Sequence, residues 1–213
     1  METVKEEYII PNGTKVIFYP ENHIYEVDGR QIPSITTLIS EFYGDTYKNV
    51  NPILLKRSAD YGTKVHAELQ DYIEKRFNHI DINPIEIEYQ EVENYFNFVE
   101  PIYKVKPIMT EKVVVLYDVQ GNPCAAGRFD LLCTVDDKLT LADFKTTSSV
   151  HRQLVTAQLN LYLKAAKESG YIKPEEEVQL GVIHLNGSTS RFVPISVLGE
   201  SYCLQFIVNE LKY

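Results

Sequence analysis

The chain has 213 residues, of which 44% are hydrophobic, and its formal net charge is −9 at pH 7. A chain of this length and composition can bury one substantial core, so we expect a single domain with elaborations, residues 1–213. The negative charge argues against a protein that binds polyanions over its whole surface. It allows a local basic groove, or carboxylates that hold cations. No run of about 18 apolar residues occurs, so no membrane association is expected.

The N-terminus and the cysteines bear on the cellular compartment. The first ten residues, METVKEEYII, are charged and lack the apolar core of a secretory signal. Cys124, Cys133 and Cys203 form neither a CxxC pair nor an even set for disulfides. Both observations predict a cytoplasmic protein.

Turn signals divide the first 33 residues into short strands. Asn12-Gly13 and Asp28-Gly29 are typical turn dipeptides, and the runs between them are rich in β-branched and aromatic residues. This pattern predicts a small antiparallel appendage over residues 1–33.

Helical patterns follow over residues 34–106. Ser34 is a candidate N-cap for a helix that runs to Gly44, and apolar residues recur at helical spacing over residues 52–77 and 86–105. Gly62 interrupts the second of these patterns, which indicates either a break in the helix or a close approach by another group.

Strand patterns dominate residues 107–213. Three successive strand-like runs occupy residues 111–119, 125–135 and 138–146. A strong helical pattern follows over residues 150–170, then a strand pair over 178–197 and a final helix over 199–213. Helices that alternate with strands in this way predict an α/β layered sheet.

Two lone aspartates stand at the ends of apolar runs in GRFDLLCTVDDKLTLADFKTT, residues 127–147. Asp130 and Asp143 occupy positions where a buried strand favours aliphatic side chains, and a carboxylate there is costly unless it is paired or binds a metal. If the two strands are neighbours, the carboxylates converge at one end of the sheet. Lys145 is two residues after Asp143, so both side chains lie on the same face of the strand.

This arrangement has two interpretations. Two carboxylates and a main-chain carbonyl suit Mg²⁺ or Mn²⁺, and a lysine beside the ion can orient a water or stabilise charge on a phosphate. Alternatively, Asp143 and Lys145 form a surface ion pair and Asp130 caps a turn.

The motifs in their order resemble the PD-(D/E)XK nuclease superfamily, specifically its RecB-like exonuclease branch, which includes phage and mitochondrial genome maintenance exonucleases. The family's Gly-x-x-Asp strand is similar to Gly127–Asp130, and its Asp-x-Lys strand is similar to Asp143–Lys145, followed by Thr146. Its Gln-x-x-x-Tyr helix motif falls on Gln158 and Tyr162. The resemblance implies a restriction-endonuclease-like core, in which a central mixed sheet is flanked by helices.

The resemblance extends to residues before the first strand of the core. The metal-binding histidine of the branch falls on His66, and the first-strand glutamate falls on Glu111. The IPSIT stretch that contains Pro33 and Ser34 also resembles related enzymes. Phe129 stands where the family name has a proline. Because the chain has only three, widely spaced cysteines, we expect no iron–sulfur cluster of the kind that some relatives carry.

The resemblance also implies roles for these residues. Asp130, Asp143, the carbonyl of Phe144 and His66 would hold Mg²⁺ or Mn²⁺, and Glu111 would bind a second ion or its water. Lys145 would position the attacking water, while Gln158 and Tyr162 would frame the site. The expected contacts to nucleic acid are Ser34, Lys64, Arg128, Thr146 and Arg152.

The expected function is that of a metal-dependent DNA exonuclease, which hydrolyses phosphodiester bonds in single strands or at DNA ends during replication, recombination or repair. The chain has no phosphate-binding loop of a helicase, so a helicase or recombination protein is a candidate partner. Two alternatives remain open: an endonuclease of the same fold, and a DNA-binding or inhibitory protein with a nuclease fold.

Overall fold

A computed structural model describes residues 4–44, 50–77 and 87–210, and for residues 208–210 it describes the backbone alone. The described chain begins with four strands: β1 (Glu6–Ile9), β2 (Lys15–Tyr19), β3 (Ile24–Val27) and β4 (Arg30–Ile32). Four helices follow: α1 (Ile35–Tyr43), α2 (Pro52–Phe77), α3 (Gln90–Asn94) and α4 (Glu100–Ile102). The remaining elements are β5 (Lys106–Tyr117), β6 (Pro123–Val135), β7 (Lys138–Lys145), α5 (Arg152–Glu168), β8 (Gln179–His184), β9 (Arg191–Ile195) and α6 (Glu200–Glu210).

The larger sheet has five strands in the order β5-β6-β7-β8-β9. Strands β7 and β8 are parallel, and the other neighbours are antiparallel. A parallel pair needs a crossover connection, which α5 provides. One face of the sheet packs against α1, α5 and α6, and the other face packs against α2 and α3. The prediction of an α/β protein with helices around a mixed sheet is therefore confirmed.

The first four strands form a separate antiparallel sheet in sequential order, as the turn signals predict. Asp28 and Gly29 both have positive φ, which suits the tight turn between β3 and β4. Buried side chains of this sheet, including Val16 and Val27, pack against Val115 of β5 and neighbouring residues. The predicted appendage is thus attached to the edge of the larger sheet by an apolar cluster.

A short connection places α1 beside β6. The carbonyl of Pro33 accepts a hydrogen bond of 3.0 Å from the Ala126 N–H, and Ser34 then caps α1, as predicted, by accepting from the Thr37 N–H at 3.0 Å. This connection fixes the N-terminus of α1 next to Gly127. The predicted boundary between the N-terminal appendage and the helical part, at residues 33–34, lies between β4 and α1. The assignment of the whole chain to one domain stays a prediction.

Two helical segments differ in detail from their sequence patterns. Helix α2 continues through Gly62 without a break, and a Cβ at that position would make an ordinary contact of 3.5 Å with Thr146 Oγ1, so neither a break nor a close approach explains this glycine. In the 86–105 pattern, residue 86 lies outside the described residues, and α3 continues through a π-helical turn at Tyr95–Val99 into α4. Residues 211–213 of the last predicted helix also lie outside the described chain. Each described helix is too short or too polar to cross a lipid bilayer.

Candidate metal centre

The strand register brings three carboxylates into one row across β5, β6 and β7. Asp130 lies opposite Glu111, between two ladder pairs of β5 and β6. It also lies opposite Asp143, one position beyond the Leu131–Ala142 pair of β6 and β7. Residues directly opposite each other on neighbouring strands are close enough for their side chains to interact. The register therefore places these three residues side by side even though they are up to 32 positions apart in the sequence.

Helix α2 adds an imidazole to this row. The helix is held against the sheet by Val65 and Leu69, both fully buried. His66 follows Val65, and its Nδ1 lies 3.6 Å from Asp130 Oδ2. Three potential ligand atoms, one from each of His66, Glu111 and Asp130, lie within 4.8 Å of one another. Within the described ranges this is the one group of three or more His, Cys, Asp or Glu side chains close enough to share a metal ion.

The surroundings of Glu111 disfavour its charged form. Burial, followed by the nearby charge of Asp130, raises the pKa of Glu111 to about 8, while Arg128 acts in the opposite direction. Glu111 also has a φ of +49°, a left-handed conformation that costs a non-glycine residue roughly 1 kcal/mol. A strained, protonated glutamate beside an aspartate is an arrangement that a bound cation would stabilise.

The main chain of β7 orients Asp130. The Phe144 N–H donates a hydrogen bond of 2.7 Å to Asp130 Oδ2, and the Phe144 ring lies edge-on to the imidazole of His66, with centroids 5.8 Å apart. The backbone of Phe144, whose carbonyl is an expected metal ligand, is therefore next to the cluster of His66, Glu111 and Asp130.

Asp143 is directed toward Lys145 and α5. Lys145 Nζ donates at 2.9 Å to Asp143 Oδ1 and lies 2.7 Å from Oδ2, which accepts no well-aligned hydrogen bond. Gln158 Nε2 donates to the same Oδ1 at 2.8 Å. Asp143 is only 3% exposed, and burial raises its pKa while the Lys145 ammonium opposes that shift. Asp143 thus lies outside the three-residue cluster and holds the ammonium in a defined position beside it.

Tyr162 lies one helical turn after Gln158 and explains the glycine of the Gly-x-x-Asp motif. A Cβ at Gly127 would lie 2.7 Å from Tyr162 Cε1 and 2.9 Å from its hydroxyl oxygen, so only glycine fits without a shift. The tyrosine is 6% exposed, and burial raises its pKa well above the usual value. Its hydroxyl therefore remains neutral and can donate a hydrogen bond.

A cleft of about 540 Å³ opens over the cluster. Its floor includes Glu111, Asp130 and Tyr162, and one wall comes from the N-terminal sheet, which contributes Phe18, His23 and Tyr25. The rings of Phe18 and Tyr25 are stacked with centroids 4.7 Å apart, and His23 lies edge-on to both. No sequence motif marks these aromatic residues, because their position depends on how the two sheets pack.

Two of the five expected nucleic-acid contacts line the cleft, and the other three do not. Ser34 and Arg128 line the cleft, but Arg128 also donates to Glu6 and Tyr8 at 3.1 and 2.8 Å, so it joins the two sheets. Thr146 lies beside Gly62 of α2. Lys64 on α2 and Arg152 at the start of α5 are exposed and are not among the residues that line the cleft.

Comparison with known proteins gives limited information. No protein-family model matches this chain, and no curated protein matches it. Among solved structures, the crystal structure of SSO0001 is similar to the chain, with 17% sequence identity and a TM-score of 0.47. The similarity covers 88% of this chain and 80% of that one. At this identity and TM-score the likeness assigns neither a family nor an activity.

Proposed function

We propose that this chain is a metal-dependent deoxyribonuclease with a PD-(D/E)XK core of the RecB-like exonuclease branch. The observation that carries the proposal is the convergence of His66, Glu111 and Asp130 within 4.8 Å, next to the buried ion pair of Asp143 and Lys145. Metal ligands beside an oriented lysine are the parts that metal-assisted phosphodiester hydrolysis requires.

The order of the elements supports the proposal. Apart from the helical segment from α3 to α4, which lies between α2 and β5, helix α2 is followed by the antiparallel strands β5, β6 and β7, the crossover helix α5 and the parallel strand β8. This order agrees with the helix, three strands, helix and strand that the resemblance implies.

The donor set fits a divalent cation. Carboxylate oxygens suit Mg²⁺ and Mn²⁺, and an imidazole nitrogen favours Mn²⁺ over Mg²⁺. His66, Glu111 and Asp130 would hold the ion, with Asp143 and the Phe144 main chain next to it. A cation in this site supplies Lewis-acid polarisation of a phosphoryl oxygen and lowers the pKa of a bound water. The charge of the ion would also offset the burial and the repulsion from Asp130 that raise the pKa of Glu111.

Lys145 supplies the fixed positive charge of the proposed mechanism. Its ammonium is held by both oxygens of Asp143, and Gln158 holds Asp143 in turn. A charge that is oriented in advance stabilises the negative charge that grows on the phosphate without reorganisation during the reaction. In this proposal Lys145 faces the scissile phosphate and also orients the attacking water.

The expected substrate is a single DNA strand or a strand end. The chain carries a net charge of −9, so binding depends on a local site rather than on the whole surface. In the aromatic wall of the cleft, His23 is exposed, whereas Phe18 and Tyr25 are only 8% and 2% exposed, so His23 is the ring of this wall that can stack on an unpaired base.

An assay of two labelled DNAs, one linear and one closed circular, tests the function. We expect linear single strands to be degraded in Mg²⁺ or Mn²⁺ and to stay intact in EDTA, while closed circular DNA stays intact in all conditions. Asp130→Asn serves as the inactive variant, and Asp136→Asn, in the exposed β6–β7 turn, serves as its matched control. Nicking of the circles would indicate an endonuclease, and no cleavage of any DNA by the wild type would overturn the proposal.

A further inference from the structure

A second concavity includes Lys145 among its lining residues. It has a volume of about 290 Å³, and its walls are mainly aliphatic, with Ile39 from α1 and Leu154 and Val155 from α5. Lys145 and Gln158, which both donate to Asp143, also line it. Thr36 lines both this groove and the larger cleft, so the two spaces meet at the first turn of α1.

The two spaces differ in charge. The larger cleft contains the carboxylates of Glu111 and Asp130, whereas the described residues that line the groove include no aspartate or glutamate. A polyanion can therefore enter the groove without a cation to neutralise its walls. Lys145 can bind one phosphate at the groove's edge, but the aliphatic walls beyond it suit an uncharged, flat group rather than further phosphates.

From this geometry we infer that the groove binds the base and sugar of the nucleotide adjacent to the scissile phosphate; this inference rests on the proposed function. The partly exposed aliphatic side chains of Val150 and Leu154 can cover a face of a base, and apolar contact of this kind accepts any base. Hydroxyl groups of Thr36 and Ser40 at the rim can bond to the sugar. The groove would thereby hold the strand in line while Lys145 contacts the phosphate.

Filling the groove tests the inference without altering the metal ligands or Lys145. Ser40 lines the groove from an exposed position on α1, so Ser40→Trp should occupy the space and leave the fold intact. Glu41→Trp adds the same side chain at the next exposed position of α1, outside the groove, and is the matched control. We expect Ser40→Trp to raise KM for a single-stranded oligonucleotide roughly tenfold, the scale of losing the contacts of one base, with KM unchanged in the control.

A strand with one abasic site identifies the group that occupies the groove. We expect wild-type cleavage to slow by about tenfold when the abasic nucleotide is next to the scissile phosphate, since the base contacts are then missing. In Ser40→Trp this additional slowing should disappear, while Glu41→Trp should retain it. Cleavage that is equally fast with and without the base, or equal slowing in both variants, overturns the inference and leaves the proposed function standing. A wild-type protein that cleaves no strand overturns both.

Discussion

The main-chain N–H of Phe144 donates a hydrogen bond of 2.7 Å to the Oδ2 atom of Asp130. This bond extends the contact of β7 with β6 beyond the last pair of their ladder. The same oxygen lies 3.6 Å from His66 Nδ1. One carboxylate oxygen therefore links two strands and α2, and its orientation is set by the backbone rather than by a flexible side chain.

Replacing Asp130 by Asn should abolish cleavage and weaken the binding of Mn²⁺. The Asn carbonyl can still accept from the Phe144 N–H, so the fold should remain. Without metal and above about pH 8, where Glu111 is ionised, the variant should be more stable than the wild type, because a charge that repels Glu111 has been removed. Calorimetric titration with Mn²⁺ and thermal unfolding in EDTA measure both effects. Undiminished cleavage by this variant would contradict the assignment of the site.

The stability of the metal-free protein should fall as the pH rises from about 4.5 to about 8. The pKa of Glu111 is raised from 4.5 to about 8, so the folded state binds a proton that the unfolded state has released in this range. The stabilising effect is complete below the unfolded-state pKa and is lost as the pH passes the folded-state value. Unfolding midpoints in EDTA should show this decline for the wild type and a smaller one for Glu111→Gln. Equal slopes in the two proteins would rule out this role of Glu111.

His66→Ala should lower activity more in Mg²⁺ than in excess Mn²⁺. The remaining carboxylate oxygens can still hold an ion, and high Mn²⁺ concentrations compensate for weaker binding. Initial rates over a range of both metals measure the difference. Gln70→Ala removes a side chain that lines the same cleft from the same helix, and it should leave the metal dependence unchanged. Identical losses in both metals would instead indicate that His66 acts only through packing.

Lys145→Ala should reduce the single-turnover rate by at least about a hundredfold, the scale of losing one electrostatic donor. Strand binding should change little, because the ammonium acts mainly on charge that develops in the transition state. Lys145→Arg should not restore the rate, since a broad, planar guanidinium differs in shape from an ammonium. Lys138→Ala, at the exposed start of the same strand, is the matched control. Equal losses of rate and affinity would make Lys145 a phosphate anchor only.

Gly127→Ala should destabilise the protein by about 1–3 kcal/mol, the usual cost of overpacking. The new methyl group would lie 2.7 Å from Tyr162 Cε1. The double variant Gly127→Ala/Tyr162→Leu should recover part of this loss, because the smaller side chain leaves room for the methyl group. Gly199→Ala, with no atom within 4 Å of the added Cβ, should have no such effect. Denaturant unfolding of the four proteins checks the prediction, and an unaffected Gly127→Ala would refute it.

Much of the secondary structure follows from the sequence, because it depends on neighbouring residues. The Asp28-Gly29 dipeptide predicts a turn that the structure contains, since both residues readily adopt positive φ. Ser34 predicts the start of α1 because its hydroxyl bonds to an N–H only three residues away. The strand patterns and the helix over residues 150–170 likewise predict the α/β class.

Only the tertiary structure determines which of these elements meet, and how. The sequence order allows Asp130 and Asp143 to converge, but the register of β5 on β6 brings Glu111 opposite Asp130, and the packing of α2 brings His66 to the same point. Packing between the two sheets likewise adds His23 to the cleft. These contacts join residues far apart in the chain, so they depend on burial and strand register, which no local pattern of residues specifies.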